Sequence, residues 1–268
     1  MKKVICLVAT AVLATSILAG CGNSSKPTDT KPKTEENSNK AAKSYTDGTY
    51  KASYDHIDGH GWKPQIEIQI KDKKISKVVF DYVNPEGKLK TQDENYNKAM
   101  KDKSKTSPAE YSPQLGDNLV KTQDIDKVDV VTGATHSSEN FKALAKAALA
   151  NAEKGVSTPA ILAMNDTYTA SEKDFDSHGW KGQVSITYKD GKIEKVEFDE
   201  LNKEGKKKSE DEKYNSDMKA KSKISAKEAM DKLEEAAMTS GKADTVTGAT
   251  GTSAKFKALY EEALKMRK

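Results

Sequence analysis

Two short segments of this chain combine hydroxyl side chains with very small residues, a combination that suits the binding of a phosphate group. They are Asp129-Val-Val-Thr-Gly-Ala-Thr135 and Asp244-Thr-Val-Thr-Gly-Ala-Thr250. In each, glycine and alanine permit a tight turn and leave room for a ligand, and a predicted helix follows. The first-turn N–H groups of a helix lack internal partners, and the helix dipole favours an anion there. Each segment therefore predicts an anion site made of backbone and hydroxyl groups, without a P-loop lysine.

Each predicted anion site consists of the turn residues and the hydroxyls at the helix start. A plainer interpretation is equally open for one segment taken alone, because hydroxyl residues at a helix start also serve as simple caps. The residues assigned to the two anion sites are Thr132, Gly133, Ala134, Thr135 and Ser137, and Thr247, Gly248, Ala249, Thr250 and Thr252.

The chain repeats itself around these segments. Residues 49–105 align without a gap to residues 167–223, with 33 identities in 57 positions. The second part of the repeat aligns at an offset of 115 instead of 118 residues, so the second copy lacks three residues. Only two copies occur, which predicts tandem domains and not a solenoid. We place the domains at residues 45–154 and 160–268.

The pattern within each copy predicts an α+β domain. Apolar residues alternate with polar ones over several short stretches, as in half-buried strands of an antiparallel meander. Asp190-Gly191 is a strong tight-hairpin signal, and Asp72-Lys73 is its weaker counterpart. Helices should flank each sheet, so the fold class is two tandem α+β domains. The predicted strands are 50–54, 65–70 and 75–80 in the first copy, and 167–171, 183–188 and 193–198 in the second.

The predicted helices have recognisable starts. Ser107-Pro-Ala-Glu110 and Ser225-Ala-Lys-Glu228 read as capping boxes, and Pro113 should shorten the helix in the first copy. The final helix of each copy should begin at Ser138 or Ser253, just after the Thr-Gly-Ala-Thr segment. The helix start is therefore the element that positions the predicted anion site.

His60-Gly61-Trp62 recurs as His178-Gly179-Trp180, and these segments contain the only two tryptophans of the chain. Two interpretations are open. Trp62 and Trp180, with His60 and His178, line the ring of an aromatic ligand, or the tryptophans are core residues beside a turn, which is the commoner role of large aromatics. Neither histidine has a partner at ligand spacing, so no metal site is predicted.

The N-terminus predicts export and a lipid anchor. Lys2 and Lys3 precede an apolar run that ends in Leu18-Ala-Gly-Cys21, which resembles a bacterial lipobox. We expect a signal peptide over residues 1–20 and lipidation of Cys21, against the alternative of an ordinary signal with an incidental cysteine. Residues 21–44 lack large apolar side chains and are predicted to be a disordered tether.

Composition excludes several classes of protein. The chain has two cysteines, Cys6 in the predicted signal and Cys21 at the predicted lipid anchor. Disulfides, haem attachment, iron–sulfur ligation and thiol catalysis are therefore not expected. The 45 basic and 41 acidic residues nearly balance, which argues against a nucleic-acid partner. No G-x-G-x-x-G segment indicates a nicotinamide site.

The repeated Asp-x-x-Thr-Gly-Ala-Thr segment resembles the motif of the FMN-binding domain family, which includes the flavin subunits of sodium-pumping quinone reductase and Rnf complexes. In that family the motif is recognised by a secreted flavin transferase, which splits FAD and joins the FMN phosphate to the last hydroxyl of the motif. The resemblance implies two covalent FMN groups, on Thr135 and Thr250, with Asp129 and Asp244 as the motif acids.

The whole chain is similar to the flavin-bearing lipoproteins of Gram-positive extracellular electron transfer. This similarity implies a lipid-anchored, palmitate-bearing electron carrier on the outer face of the cell membrane, and not an enzyme. Its partners would be the flavin transferase, a quinone-linked membrane dehydrogenase as donor, and extracellular acceptors such as ferric iron. The alternative is a flavin-binding or signalling lipoprotein without covalent flavin, and a flavin-dependent reductase is a weaker third possibility.

Overall fold

The computed structural model describes residues 44–268. The predicted signal peptide, Cys21 and nearly all of the predicted tether lie outside the described residues. The strands are β1 (Gly48–Tyr54), β2 (Lys63–Lys71), β3 (Lys74–Val83), β4 (Ala160–Leu162), β5 (Thr167–Ser171), β6 (Lys181–Lys189) and β7 (Lys192–Leu201). The helices are α1 (Glu94–Ser104), α2 (Pro108–Thr122), α3 (Thr135–Lys154), α4 (Glu212–Ser222), α5 (Ala226–Ser240) and α6 (Thr250–Met266). None of these helices is both long and apolar enough to cross a membrane.

The strands form two sheets, one in each repeat, which confirms the predicted α+β class. The first sheet has the order β3-β2-β1-β4 and the second the order β5-β6-β7. Neighbouring strands are antiparallel except β4, which runs parallel to β1 with Ala160 opposite Ala52. The chain leaves α3 at Gly155 and returns along the edge of β1, so residues 160–162, which the sequence assigned to the second domain, complete the sheet of the first.

The two central hairpins close on tight turns with positive φ at both corner residues. The φ angles are 49° and 77° at Asp190 and Gly191, and 52° and 61° at Asp72 and Lys73. Non-glycine residues adopt this conformation at some cost. The Asp47 carboxylate accepts hydrogen bonds from the N–H groups of Asp72 and Lys73, at 3.0 and 2.8 Å, which explains how the glycine-free turn is held.

Each core lies between one face of a sheet and two helices. Side chains of β2 and β6 alternate between buried and half-buried positions, as the period-two pattern predicted. The inward side chains meet the apolar faces of α2 and α3 in the first domain, and of α5 and α6 in the second. The fully buried members include Ile68, Leu115, Phe141 and Leu144, and Ile186, Leu233, Phe256 and Tyr260.

The prediction that Pro113 shortens its helix was wrong. Helix α2 runs for 15 residues through Pro113, and its proline-free counterpart α5 also has 15 residues. A proline in a helix removes one backbone hydrogen bond and crowds the preceding turn. Here Tyr111, Leu115 and Leu119 are each 0% exposed on the inner face of α2, so tertiary packing outweighs the local penalty.

The two domains also contact each other through the segment that leads to Trp62. The N–H of Ile57 donates to the Lys268 carbonyl at 2.9 Å, and the N–H of Gly59 donates to the Asp166 carboxylate at 2.9 Å. The Arg267 guanidinium lies 3.6 Å from the Asp55 carboxylate. Residues at both ends of the second domain therefore hold the approach to the tryptophan turn of the first.

Candidate functional site

Both Thr-Gly-Ala-Thr segments end in a threonine that is the first residue of a helix. Helix α3 begins at Thr135 and α6 at Thr250, three residues before the predicted starts. The preceding alanines, Ala134 and Ala249, are buried, whereas both threonines are exposed. Each hydroxyl is thus presented to solvent from a rigid position, accessible to a reacting enzyme and close to the end of the helix.

The first turns of these helices keep free hydrogen-bond donors. In the part of the chain that the structure describes, no side chain caps the N–H groups at the start of α3 or α6. The first hydrogen bond back into the turn is donated by the Ser138 N–H to the Ala134 carbonyl, at 2.9 Å, and Ser253 repeats it with Ala249. The three N–H groups before Ser138 point to the helix end, where the dipole favours a negative group. A phosphate attached to the threonine fits this environment.

The glycine of each segment is required by its backbone and by a close neighbour. Gly133 and Gly248 have φ angles of 81° and 83°. A Cβ atom on Gly133 would lie 2.2 Å from the Ser104 carbonyl oxygen, and one on Gly248 would lie 2.5 Å from that of Ser222. Ser104 and Ser222 end helices α1 and α4. The turn therefore packs against the C-terminal end of α1 in the first domain and of α4 in the second. A side chain on the glycine would push the turn away from that helix end.

A buried serine that the sequence analysis did not assign to the site fixes each turn. The Ser138 hydroxyl accepts from the Val131 N–H at 3.0 Å and donates to the Ala134 carbonyl at 2.9 Å. Ser253 makes the same two contacts with Val246 and Ala249, at the same distances. Both serines are almost completely buried. Ser138 and Ser253 occupy the same position in the two copies, three residues after Thr135 and Thr250. This repetition is the sequence signal that could have identified them.

The other predicted motif residues lie on the surface around the turn. Asp129, Thr132, Asp244 and Thr247 are exposed. Among the described residues, neither aspartate makes a hydrogen bond or an ion pair that would give it a structural role. Their side chains are free to contact a partner that docks on the segment.

The two tryptophans sit in matching turns held by aspartates. The Asp58 carboxylate accepts from the N–H groups of His60 and Trp62 at 2.9 and 2.8 Å, and Asp176 accepts from those of His178 and Trp180, both at 2.9 Å. Trp62 and Trp180 are buried, and each meets a tyrosine edge to face, Tyr96 or Tyr214. The core interpretation of these tryptophans therefore accounts for their packing.

His60 and His178 are exposed at the tips of these turns. No group of three or more histidine, cysteine, aspartate or glutamate side chains among the described residues could hold a metal ion.

A neutral hydrogen-bonded network lies under the start of α3. The Asn140 side chain donates from Nδ2 to the Tyr82 hydroxyl at 3.2 Å, and its Oδ1 accepts from the Tyr54 hydroxyl at 3.1 Å. The Ser137 hydroxyl donates to the Tyr111 hydroxyl at 3.1 Å and also lies beside Tyr82. Burial dominates over these hydrogen bonds and raises the pKa of Tyr82 to about 12.

The equivalent network in the second domain is charged. Glu172, Glu200 and Lys255 occupy the positions of Tyr54, Tyr82 and Asn140. The Lys255 ammonium lies 2.8 Å from Glu200, 2.7 Å from Asp176 and 3.4 Å from Glu172. Burial opposes ionisation of Asp176, but the hydrogen bonds from Lys255 and from the Trp180 N–H prevail and lower its pKa to about 2.

A buried lysine stands beside each tryptophan. The Lys90 ammonium lies over the rings of Tyr82, Tyr96 and Trp62, 4.4, 4.5 and 5.4 Å from their centroids. Lys208 lies over Tyr214 and Trp180 at 4.6 and 5.4 Å and also forms an ion pair with Glu200 at 3.1 Å. Desolvation lowers the pKa of Lys90, against the attraction of Asp58 and Asp81.

Each domain places a Thr-Gly-Ala-Thr turn at the start of a helix, an arrangement suited to a phosphate-bearing ligand. The profile of the FMN-binding domain family matches residues 59–150 and 179–265, which together make up more than half of the chain. The chain therefore belongs to the FMN-binding domain family, and FMN is the ligand that its two domains indicate.

Individual proteins resemble single repeats of the chain. A 15 kDa lipoprotein of Treponema pallidum (strain Nichols) is 39% identical over 112 residues, covering 42% of this chain and 79% of that protein. A crystal structure from Clostridium perfringens is 36% identical, covers 45% of this chain and 98% of its own, and superposes with a TM-score of 0.44. A solution structure from Clostridium thermocellum is 27% identical, covers 40% and 92%, and superposes with a TM-score of 0.28.

Proposed function

We propose that this chain is an extracytoplasmic electron carrier with one FMN joined covalently to Thr135 and another to Thr250. The observation that carries the proposal is the exposed threonine hydroxyl at the uncapped start of α3 and of α6, in two domains of the FMN-binding family. A phosphodiester formed there keeps one negative charge, which the free N–H groups and the helix dipole stabilise.

The attachment requires a flavin transferase and FAD. The threonine oxygen forms a bond to the FMN phosphorus, the phosphorus–oxygen bond to AMP breaks, and the hydroxyl proton leaves with AMP or solvent. Asp129 and Asp244, exposed and without structural partners among the described residues, are available to the transferase. The protein supplies a fixed, accessible nucleophile and stabilises the phosphodiester, and the bound FMN supplies the redox chemistry.

We further propose that the carrier is held on the outer face of the cell membrane through lipidated Cys21. The lipobox-like sequence and the similarity to a protein described as a lipoprotein support this location. A covalent cofactor suits a protein outside the cytoplasm, where a free flavin would diffuse away. The proposed donor is a quinone-linked membrane dehydrogenase, and the proposed acceptors are extracellular oxidants such as ferric iron.

Covalent attachment is tested by producing the secreted chain together with a flavin transferase and separating it on a denaturing gel. We expect flavin fluorescence in the protein band, about half as strong in Thr135→Ala and in Thr250→Ala, and none in the double variant. Fluorescence that is lost on denaturation would leave a reversible flavin-binding lipoprotein and contradict covalent attachment. Equal fluorescence in the double variant would contradict the assigned residues.

The carrier role is tested by the kinetics of reoxidation. The flavinylated protein is reduced under anaerobic conditions and mixed with unrelated acceptors, such as ferric citrate, a soluble flavin and a quinone analogue. We expect second-order rates that rise linearly with the concentration of each acceptor, because exposed attachment points require no closed substrate pocket. Saturation with one acceptor and no reaction with the others would indicate a reductase instead.

A further inference from the structure

We infer that Lys90 raises the reduction potential of the flavin on Thr135, whereas the ion pair between Lys208 and Glu200 holds the flavin on Thr250 at a lower potential. The inference rests on the proposed attachment of FMN to both threonines. It concerns a buried lysine that both domains share and that has a different partner in each.

Within residues 44–268, no carboxylate contacts the lysine of the first domain. Only 5% of Lys90 is exposed, and among the described residues its ammonium group makes no hydrogen bond or ion pair. Its close neighbours are the rings of Trp62, Tyr82 and Tyr96. Cation–π contacts compensate part of the lost hydration but do not cancel the charge. Lys90 is therefore a buried cation within an aromatic cage, which Asp58 and Asp81 attract from a distance without forming an ion pair with it.

In the second domain the same position is neutralised. The Lys208 ammonium pairs with the Glu200 carboxylate at 3.1 Å, with 7% and 1% of the two side chains exposed. The residue at the Glu200 position in the first domain is Tyr82, which has no charge. A pair of opposite charges in contact produces a much weaker field at a distance than a single charge does.

Other differences between the two domains around these lysines also make the second domain more negative. From the first domain to the second, Tyr54 and Tyr82 are replaced by glutamates and Asn140 by a lysine. The exchange adds two negative charges and one positive charge, so the second network is more negative by one unit. The equivalent carboxylates, Asp58 in the first domain and Asp176 in the second, contribute alike to the two networks and do not enter this count of charges.

These groups adjoin the proposed attachment points. Ser137, two residues after Thr135, lies beside Tyr82, and the ring of Tyr82 lies 4.4 Å from the Lys90 ammonium. In the second domain, Lys255 is five residues after Thr250 on α6 and contacts Glu200, the partner of Lys208. Tyr82 therefore separates Lys90 from the first turn of α3, and Glu200 separates Lys208 from Lys255 in the second turn of α6.

The sign of the effect follows from electrostatics. Reduction adds electrons to the flavin, so a nearby positive charge stabilises the reduced form and raises the potential. The unpaired Lys90 should act in this way, whereas the neutralised Lys208 should not. At equilibrium the flavin on Thr135 is therefore reduced before the flavin on Thr250.

Single-flavin proteins allow the two potentials to be measured separately. Thr250→Ala retains the flavin on Thr135, and Thr135→Ala retains the flavin on Thr250, each confirmed by intact mass. Each protein is titrated anaerobically with dithionite in the presence of redox dyes, and the flavin absorbance gives the midpoint potential. We expect a higher potential in Thr250→Ala than in Thr135→Ala.

Two substitutions test the named residues. Lys90→Met in the Thr250→Ala protein should lower the potential, and Lys90→Arg should restore most of it. Glu200→Gln in the Thr135→Ala protein should raise the potential, because Lys208 then loses its negative partner. Lys74→Met and Glu194→Gln change exposed charges at the far ends of β3 and β7, and should leave both potentials nearly unchanged.

The outcomes separate this inference from the proposed function. A protein without covalent flavin refutes the proposed attachment, and the inference with it. Attached flavins of equal potential, or the reverse order, refute the inference alone. If Lys90→Met does not fold, Glu200→Gln still decides, since an unchanged or lowered potential in that variant contradicts the role of the Lys208–Glu200 pair.

Discussion

The two domains share a backbone but differ in how they satisfy the polar positions beneath the helix that follows the Thr-Gly-Ala-Thr turn, α3 or α6. In the first, two tyrosines and an asparagine form a neutral hydrogen-bonded network around Asn140. In the second, Lys255 gathers three carboxylates within 3.4 Å. Both arrangements leave the turn at the helix start almost identical. The duplication has therefore kept the geometry of the turn while the electrostatics around it diverged.

The largest difference between the domains should come from breaking the centre of each network. Lys255→Met leaves Glu200, which is 1% exposed, with Lys208 as its one remaining cation, and should cost about 3–5 kcal/mol of unfolding free energy. Asn140→Leu removes two neutral hydrogen bonds and should cost about 1–3 kcal/mol. Urea unfolding followed by Trp180 or Trp62 fluorescence gives each value, and equal costs would contradict the contrast.

Replacing the glycine of the Thr-Gly-Ala-Thr turn should lower the stability of both domains alike. Gly133→Ala and Gly248→Ala impose a strained backbone, which costs about 1–3 kcal/mol, and also force the new Cβ atom against the carbonyl of Ser104 or Ser222. Gly87→Ala and Gly205→Ala are matched controls, because their φ angles are 81° and 78° but no atom lies within 4 Å of the added Cβ. Thermal unfolding should rank both turn variants below both controls.

The aspartates of the tryptophan turns should respond in opposite ways to the loss of charge. Asp176→Asn removes a carboxylate whose pKa is lowered to about 2, and should cost about 2 kcal/mol at neutral pH. Burial raises the pKa of Asp58, so Asp58→Asn should be neutral or stabilising, since the amide oxygen still accepts the N–H groups.

The pH dependence follows from the direction of each pKa. The stabilisation by ionised Asp176 is present above its ordinary pKa of 3.8 and is lost as the pH falls towards about 2. The difference in unfolding free energy between the wild type and Asp176→Asn should therefore shrink over that range. For Asp58, the raised pKa favours the folded state at low pH, and this advantage is lost as the pH rises. A constant difference at all pH values would contradict the assignment for Asp176.

The smallest expected contrast lies at the starts of α2 and α5. The Ser225 hydroxyl accepts from the Glu228 N–H at 3.1 Å within a complete capping box, whereas Ser107 caps no backbone group with its side chain. Ser225→Ala should cost about 1 kcal/mol, and Ser107→Ala less. Urea midpoints that fall equally in the two variants would show that the caps are equivalent.

Much of the fold could be predicted because its signals are local. Alternation predicted the strands, Asp190-Gly191 predicted a hairpin, and the serines marked the starts of two helices. The effect of Pro113 was predicted wrongly because the sequence shows the cost of a proline in a helix but not the burial of Tyr111 and Leu115, which outweighs that cost. Strand β4 is three residues long, and nothing in its sequence shows that it pairs with β1.

The candidate site was only partly predictable, because some of its residues share a short segment and others are brought together by the fold. The threonines, glycines and alanines share a short segment with a clear physical meaning. Lys255 contacts Glu200 and Asp176, which are 55 and 79 residues away in the sequence, so no spacing could predict these contacts. The sequence showed Lys90 and Lys255 as ordinary members of a lysine-rich chain, and only the fold brings them to Tyr82 and Glu200.

The most direct test of the account is the intact mass of the secreted chain produced with a flavin transferase. We expect the mass to exceed that of the protein produced without the transferase by two FMN groups, each less one water. Thr135→Ala and Thr250→Ala should each retain one addition, and the double variant none. A wild-type mass without any addition, or two additions that survive in the double variant, would contradict the assignment of one FMN to each threonine.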